Sequence, residues 1–151
     1  NVDMAITNSG SLRRSLPKGD ITRGEIIMMQ PFNNRIVVEE ISGADLRDAL
    51  DVMASRGGDG VSEGVEAVFD PATGRCTSVT INGQPIDPQK TYRVATIDYL
   101  MNGGDYMAPL TRGKEIARSS RIMHADLTDY IKNLKGKKIN PSDKRRMKAA
   151  E

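Results

Sequence analysis

The stretch RIVVEEISGADLRDALDVMAS, residues 35–55, decides the fold because it predicts a strand followed directly by a helix. Its first seven residues are rich in β-branched side chains, which favour a strand. After them, apolar residues recur at positions 46, 49, 50 and 53, the spacing of one helix face. We therefore expect the apolar face of this helix to pack on a sheet that contains the strand.

Further strands are predicted on both sides of this stretch. The segment VDMAIT (2–7) alternates in the way of a strand, and residue 1 is expected to lie already inside a structured unit. Downstream, VEAVFD, RCTSVTI and YRVATI (65–70, 75–81 and 92–97) are predicted to be extended. Thr-Gly and Asn-Gly pairs between these segments supply the positive φ angles that tight turns require, which indicates hairpins.

Two more helices are predicted, one on each side of the long sheet-forming region. TRGE (22–25) matches a capping box, in which the Thr side chain and the Glu side chain satisfy free N–H groups at a helix start, and Pro31 ends the helix that follows. In HADLTDYIKNLK (124–135), apolar residues recur every three or four positions. Because strands, hairpins and helices interleave, the predicted fold class is α+β with mixed α/β layers, rather than a bundle or a sandwich.

Size and charge limit the classes of function. A chain of 151 residues with 38% hydrophobic residues is predicted to form one domain over residues 1–151. Residues 132–151 carry eight Lys or Arg and two acids, whereas residues 1–131 hold 14 basic and 18 acidic groups. This distribution argues against a basic nucleic-acid-binding face on the body of the domain, and leaves DNA binding by the basic tail as a weaker alternative.

Several chemistries are disfavoured by single residues. Cys76 is the only cysteine, which excludes an internal disulfide and a cysteine-based zinc site. His124 is the only histidine, so neither a metal centre within this chain nor Ser-His-Asp hydrolysis is predicted. The sequence contains neither a run of 18 apolar residues nor an export signal at its start, so we predict no membrane-spanning segment.

Two glycine clusters, RGGDG (56–60) and NGGD (102–105), lack the spacing of a phosphate loop or of an EF-hand. The simplest interpretation of the first is that its glycines turn the chain, within a loop over 56–64 that is expected to be mobile.

Three other loops combine residue types that a nucleoside requires: NSGSLR (8–13), QPFNN (30–34) and DYLMNGGD (98–105). They contain aromatic rings, amides, an arginine and a carboxylate. Aromatic planes can stack on a base, a carboxylate can accept hydrogen bonds from ribose hydroxyls, and a guanidinium suits a phosphate. Because aromatic residues make up only 4% of the chain, a ring in such a loop is notable.

Five segments, in order and covering nearly the whole chain, carry a family resemblance. They are AITNSGSLR, GDIT, MMQPFNN, ISGADLRDAL and VTINGQPIDPQKTYRVATIDYLMNGGD, which begin at residues 5, 19, 28, 41 and 79. Together they resemble the C-terminal domain of the 5′-nucleotidase family, which includes periplasmic UDP-sugar hydrolases and 2′,3′-cyclic phosphodiesterases. The resemblance also makes the RRMKAA segment of the basic tail similar to a closing strand.

The resemblance implies a division of labour between two domains. A chain similar to this C-terminal domain supplies the substrate pocket for phosphoric monoester hydrolysis in nucleotide catabolism. A separate metallophosphoesterase domain, in cis or in trans, then supplies two divalent metal ions and the catalytic residues. On this basis the present chain holds no catalytic residue, metal or cofactor of its own, and binds a nucleoside or nucleotide. The resemblance also implies a periplasmic, secreted or cell-surface location.

The implied substrate-binding residues are Asn8, Gly10, Arg13, Phe32, Asn34, Tyr99 and Asp105. By resemblance, the base lies between the rings of Phe32 and Tyr99, and Asp105 accepts hydrogen bonds from the ribose. Arg13 faces the sugar or phosphate, and Asn34 lies beside the base. Asn8 and Gly10 match an amide and a glycine in the family's first loop.

Three positions depart from the family pattern. Tyr106 stands where the family usually has a glycine after the aspartate, and Ser9 and Ser11 replace glycines and are expected to narrow the approach to the pocket. Taken singly, each implied site residue also has a plain structural explanation as a core ring, a turn cap or a surface arginine. The alternative hypothesis is a non-catalytic interaction module that keeps the fold without a working nucleotide pocket.

Overall fold

The protein is described here by a computed structural model that covers residues 1–151. Its strands are β1 (Met4–Thr7), β2 (Ile36–Ser42), β3 (Gly60–Val61), β4 (Val65–Asp70), β5 (Arg75–Ile81), β6 (Gln84–Pro85), β7 (Thr91–Ile97), β8 (Lys114–Arg118) and β9 (Met147–Ala149). Its helices are α1 (Arg23–Met29), α2 (Gly43–Ser55), α3 (Asp98–Met101) and α4 (Met123–Asn133). Short 3-10 turns occupy Ser9–Ser11, Gly104–Tyr106, Ala108–Arg112 and Lys135–Lys137.

The strands form two mixed sheets. The first has the order β3-β1-β7-β2-β8, and the second has the order β6-β5-β4-β9. In the first sheet β1 runs parallel to β7, whereas β2 is antiparallel to both β7 and β8. This arrangement confirms the predicted α+β fold class with mixed α/β layers.

Helix α2 holds the two sheets together. Its N-terminus is capped by Ser42, whose hydroxyl accepts a hydrogen bond from the Asp45 N–H at 3.1 Å. Its buried face includes Leu46, Ala49, Leu50 and Met53, the four apolar positions that the sequence predicted. This face packs against strands of both sheets, and one continuous cluster of buried side chains joins them to α2.

The predicted capping box at the start of α1 is confirmed. Thr22 accepts from the Glu25 N–H at 3.2 Å, while the Glu25 carboxylate accepts from the Thr22 N–H at 2.7 Å. The helix ends at Met29, two residues before Pro31, as expected. The last helix is α4, which packs on α1, and its apolar side chains are only half-buried.

Two segments of the chain differ from their predicted structure. The loop predicted over residues 56–64 contains β3, which pairs antiparallel with β1. Strand β8 was not predicted, because its sequence KEIAR is short and mostly charged and it lies at the edge of its sheet.

The basic tail ends in β9, which pairs parallel with β4 in the position of a closing strand. Lys144 in this tail forms an ion pair with Glu66 at 2.8 Å, and Arg146 donates to the Val61 carbonyl at 3.1 Å. Two of the basic side chains are therefore used within the fold.

None of the helices combines the length and the apolar character needed to cross a membrane.

Candidate functional site

The three polar loops meet at one edge of the first sheet. Because β1 and β7 are parallel neighbours, their carboxyl ends lie together, and the loops that follow them emerge side by side. Strand β2 is antiparallel to β7, with Ile36 opposite Ile97, so the segment that precedes β2 reaches the same edge. The topology thus brings together residues that are far apart in sequence.

A cavity of about 320 Å³ lies between these loops. Its lining residues are Asn8, Gly10, Ser11, Arg13, Phe32, Asn34, Ile97, Tyr99 and Asp105. All seven residues that the sequence singled out are among them, with Ser11 and Ile97 in addition. The cavity is therefore bordered by two aromatic rings, two amides, one carboxylate and one guanidinium, and by no Cys or His.

Both aromatic rings are held by contacts with their neighbours. The guanidinium of Arg13 lies 5.3 Å from the centre of the Phe32 ring, within cation–π range. The Tyr99 ring, 49% exposed, packs directly on the backbone of Gly104, where a Cβ atom would overlap the ring. Gly103 has a φ of 89°, which favours glycine at that position as well. The double glycine therefore turns the chain and leaves room for the ring.

The carboxylate of Asp105 is held through one of its two oxygens. Asn8 donates from Nδ2 to Asp105 Oδ2 at 3.0 Å, and Nη1 of Arg56 lies 3.6 Å from the same oxygen. The Arg56 guanidinium also donates to the backbone oxygen of Asp105 at 2.5 Å. Oδ1 receives no hydrogen bond from the protein, so this oxygen is available to a ligand.

Sequence reasoning missed the contacts that Arg56 and Asp59, in the RGGDG loop, make with the loops around the cavity. Gly57 and Gly58 do turn the chain, with φ angles of 91° and 95°. The charged ends of the loop, however, form an ion pair of 2.6 Å and connect to the cavity loops through Ser9 and Asp105. The only sign of these contacts in the sequence was an Arg and an Asp three residues apart. Ordinary surface turns contain such pairs as well, so the pair did not single out this loop.

Of the two serines that replace family glycines, only Ser11 lines the cavity. Ser9 is not part of the cavity lining, and its hydroxyl donates to Asp59 at 2.8 Å. Ser11 lines the cavity, but it is buried and its hydroxyl donates to the Asn8 carbonyl at 2.8 Å. Tyr106 is 85% exposed and is not part of the cavity lining. None of the three side chains fills the space between the loops.

Tyr106 has a φ of 63°, in the left-handed region that disfavours bulky side chains. We expect Tyr106→Gly to leave the free energy of unfolding unchanged or to raise it by up to about 1 kcal/mol, because relief of this strain offsets the added chain entropy of glycine. As a control, Tyr130→Gly changes an exposed tyrosine within α4 and is expected to lower stability by about 0.5–1 kcal/mol. Urea unfolding checks both, and a similar loss in the two variants would contradict the strain.

Two buried ionisable groups lie outside the cavity. Burial raises the pKa of the Cys76 thiol to about 11, with a smaller contribution from nearby Asp51, so this thiol stays protonated at neutral pH. Burial raises the pKa of the Glu39 carboxyl to about 8.

No three His, Cys, Asp or Glu side chains lie close enough together to hold a metal ion. The arrangement at the cavity suits binding of a planar, hydroxyl-bearing ligand.

Comparison with known proteins gives consistent matches. Residues 1–112 match the family model described as "5'-nucleotidase, C-terminal domain". The chain is 37% identical over 108 residues to Protein UshA of Yersinia enterocolitica, and 34% identical over 105 residues to the Silent protein UshA(0) of Salmonella typhimurium. Each match covers 68% of this chain and 19% of the relative.

A solved structure extends the similarity to nearly the whole chain. The crystal structure of the 5′-nucleotidase precursor from Thermus thermophilus superposes with a TM-score of 0.88 at 29% identity. The match covers 98% of this chain and 31% of the Thermus chain. The chain thus spans about a fifth of the length of these two curated relatives, and about a third of this structural relative.

Proposed function

This chain belongs to the 5′-nucleotidase C-terminal domain family, and we propose from this premise that it binds the nucleoside part of a nucleotide substrate. The base lies between Phe32 and Tyr99 in this proposal. The observation that carries it is that three loops, remote in sequence, place two aromatic rings, a carboxylate and a guanidinium around one cavity. The cavity volume of about 320 Å³ is within the range of small-molecule sites.

Each side chain has a distinct role in this proposal. The rings of Phe32 and Tyr99 supply the stacking surfaces, and Asn34 lies beside the base. Asp105 offers Oδ1 to the ribose hydroxyls, because its other oxygen already interacts with Asn8 and Arg56. Arg13 carries the positive charge that suits the sugar or phosphate end of the ligand.

Hydrolysis of the phosphoric monoester is assigned to a metallophosphoesterase domain outside this chain, in cis or in trans. Support comes from two findings: the family model that this chain matches is that of a C-terminal domain, and the match to Protein UshA of Yersinia enterocolitica covers only 19% of that relative. The two divalent metal ions would be held by that other domain, and the residues of this chain would orient the nucleotide toward it. We infer that the complete protein acts in the periplasm or at the cell surface, as a nucleotide-degrading hydrolase.

Titration of the chain with adenosine and AMP, followed by NMR chemical shifts, tests this function. Two stacked faces are worth about 1–3 kcal/mol each before the costs of ordering, so we expect dissociation constants between tens of micromolar and millimolar. Phe32→Ala and Tyr99→Ala should each weaken binding about tenfold. The matched control is Tyr130→Ala, an exposed tyrosine on α4 outside the cavity lining, which should bind as the wild type does.

Shift changes scattered away from the three loops would contradict the proposal. Absence of nucleoside binding at millimolar concentrations would favour the alternative, an interaction module that keeps the fold without a working pocket.

A further inference from the structure

We propose that Arg56 and Asp59 position Asp105 for recognition of the sugar hydroxyls of the ligand. This inference rests on the proposed nucleoside-binding function. We call the pair the Arg56–Asp59 brace. Neither residue lines the cavity, so the brace would act from outside it, through the residues that it holds.

The first part of the brace is the Arg56 guanidinium, which connects two loops. Its Nε donates to Asp59 Oδ2 at 2.6 Å within the loop after α2. Its Nη1 donates to the backbone oxygen of Asp105 at 2.5 Å and lies 3.6 Å from the Asp105 carboxylate. One planar cation therefore fixes both the main chain and the side chain of Asp105.

The second part is Asp59, whose side chain is 2% exposed. Its Oδ1 accepts hydrogen bonds from the N–H of Ser9 at 3.0 Å and from the hydroxyl of Ser9 at 2.8 Å, while Oδ2 accepts from Arg56. Asp59 therefore ties the loop that follows β1 to Arg56. Through Asp59 and Arg56, the first and third loops of the cavity are linked to each other.

The link holds an uncommon backbone conformation at Asp105. Asp105 and Tyr106 have φ angles of 56° and 63°, two successive non-glycine residues in the left-handed region. Such a conformation persists only where the surrounding structure holds it. Two contacts hold this turn: the Met107 N–H donates to the Gly104 carbonyl at 3.1 Å, and Arg56 donates to the Asp105 carbonyl. The second comes from a distant loop, and the turn sets where the carboxylate lies.

The brace should therefore affect the sugar and not the base. Asp105 Oδ2 interacts with Asn8 and Arg56, which leaves Oδ1 as the acceptor for a hydroxyl. The stacking rings Phe32 and Tyr99 have supports outside the brace, namely Arg13 and the backbone of Gly104. Loss of Arg56 should then weaken recognition of a ribose while leaving the stacking of the base intact.

The test compares adenosine with 2′,3′-dideoxyadenosine, which keeps the base and lacks the sugar hydroxyls. We expect Arg56→Ala to weaken adenosine binding about tenfold in NMR titrations and to change dideoxyadenosine binding less than about twofold. Arg56→Lys should recover only part of the affinity, because an ammonium cannot reach both aspartates in the geometry of the fork. The matched control is Arg93→Ala, which removes an ion pair with Glu40 near the opposite end of β7 and should change neither affinity.

Equal losses of affinity for both ligands would overturn the proposal, since they would show that the brace connects the loops without a specific effect on recognition of the sugar. Unchanged binding of adenosine by Arg56→Ala would also overturn it. Should Arg56→Ala fail to fold, Arg56→Lys and Asp59→Asn apply the same comparison.

A measurement without ligand separates this inference from the proposed function. The intraresidue HN–Hα NOEs of Asp105 and Tyr106 report a positive φ, because this distance is shorter there than at negative φ, and we expect these NOEs to weaken in Arg56→Ala. If the wild type binds no nucleoside, the proposed function fails and the sugar role of the brace with it, whatever the NOEs show. If the wild type binds adenosine but the NOEs and the adenosine affinity are unchanged in the variant, only the brace is refuted.

Discussion

Replacing Glu39 by glutamine is expected to raise the free energy of unfolding by about 3–5 kcal/mol at pH 9. Glu39 is fully buried in the central strand β2, and neither of its carboxylate oxygens has a hydrogen-bond partner in the protein. Burial raises its pKa from 4.5 to about 8, because the ionised form loses its solvation. At pH 9 the native protein must therefore hold an unpaired buried charge, which glutamine would remove.

The same pKa predicts how wild-type stability depends on pH. Between pH 4.5 and about 8 the unfolded chain releases the Glu39 proton while the native state keeps it. The native state then binds more protons than the unfolded state, so the contribution of Glu39 lowers stability as pH rises through this window and levels off above it. Glu115, its neighbour in register on β8, is held ionised by Arg118, which lowers the pKa of Glu115. The Glu39→Gln variant should lack the Glu39 component of the slope.

Urea unfolding at pH 5, 7 and 9 measures these differences. Glu40→Gln is the matched control, since Glu40 is the next residue, is partly exposed and pairs with Arg93 at the surface. We expect it to change stability by no more than about 0.5–1 kcal/mol at any of these pH values. Equal stability of wild type and Glu39→Gln at pH 9 would contradict the assignment of an unpaired buried carboxyl.

Replacing Gly43 by alanine is expected to lower the free energy of unfolding by about 3 kcal/mol. Gly43 is the first residue of α2, and a Cβ atom there would overlap the backbone carbonyl of Asp87 and crowd Pro88. The N–H of Gly43 also donates to the Lys90 carbonyl at 2.8 Å, so the two segments cannot separate without loss of a hydrogen bond. Since the obstacle is main chain, rotamer changes cannot relieve it.

Gly24→Ala is expected to have the opposite effect on the free energy of unfolding. Gly24 is exposed in α1, and its nearest neighbour to a new Cβ would be the Thr22 hydroxyl at 3.9 Å. Alanine should stabilise the helix there by about 0.5–1 kcal/mol. Thermal and urea unfolding measure the change in stability of both variants. Unchanged stability of Gly43→Ala would show that the loop over Asp87 and Pro88 moves freely.

Local rules predicted the elements that depend on local sequence. The apolar spacing of residues 46–53 identified the buried face of α2, and the Thr22–Glu25 pair identified the start of α1, because both patterns are short-range. Strands β3 and β8 escaped prediction because each is short, lies at a sheet edge and is stabilised by a partner remote in sequence. Pairing of this kind is not visible in the periodicity of the strand itself.

The candidate site, too, was predicted only in part from local sequence. The residue types suggested a ligand for each loop, but only the family resemblance brought the three loops together. The physical cause of their meeting is the parallel pairing of β1 with β7, two segments separated by more than 80 residues. The role of Arg56 was missed because its partner Asp105 lies 49 residues further along the chain.

The parallel pairing of β1 with β7 also has a consequence for the rate at which the cavity forms. Asn8 and Asp105 are 97 residues apart, and contacts of such separation are closed slowly because the entropy of the intervening loop is lost first. We expect the cavity to be absent from the transition state for folding and to assemble only as the last contacts close. A bound nucleoside would accordingly lengthen the lifetime of the native state and leave the refolding rate almost unchanged.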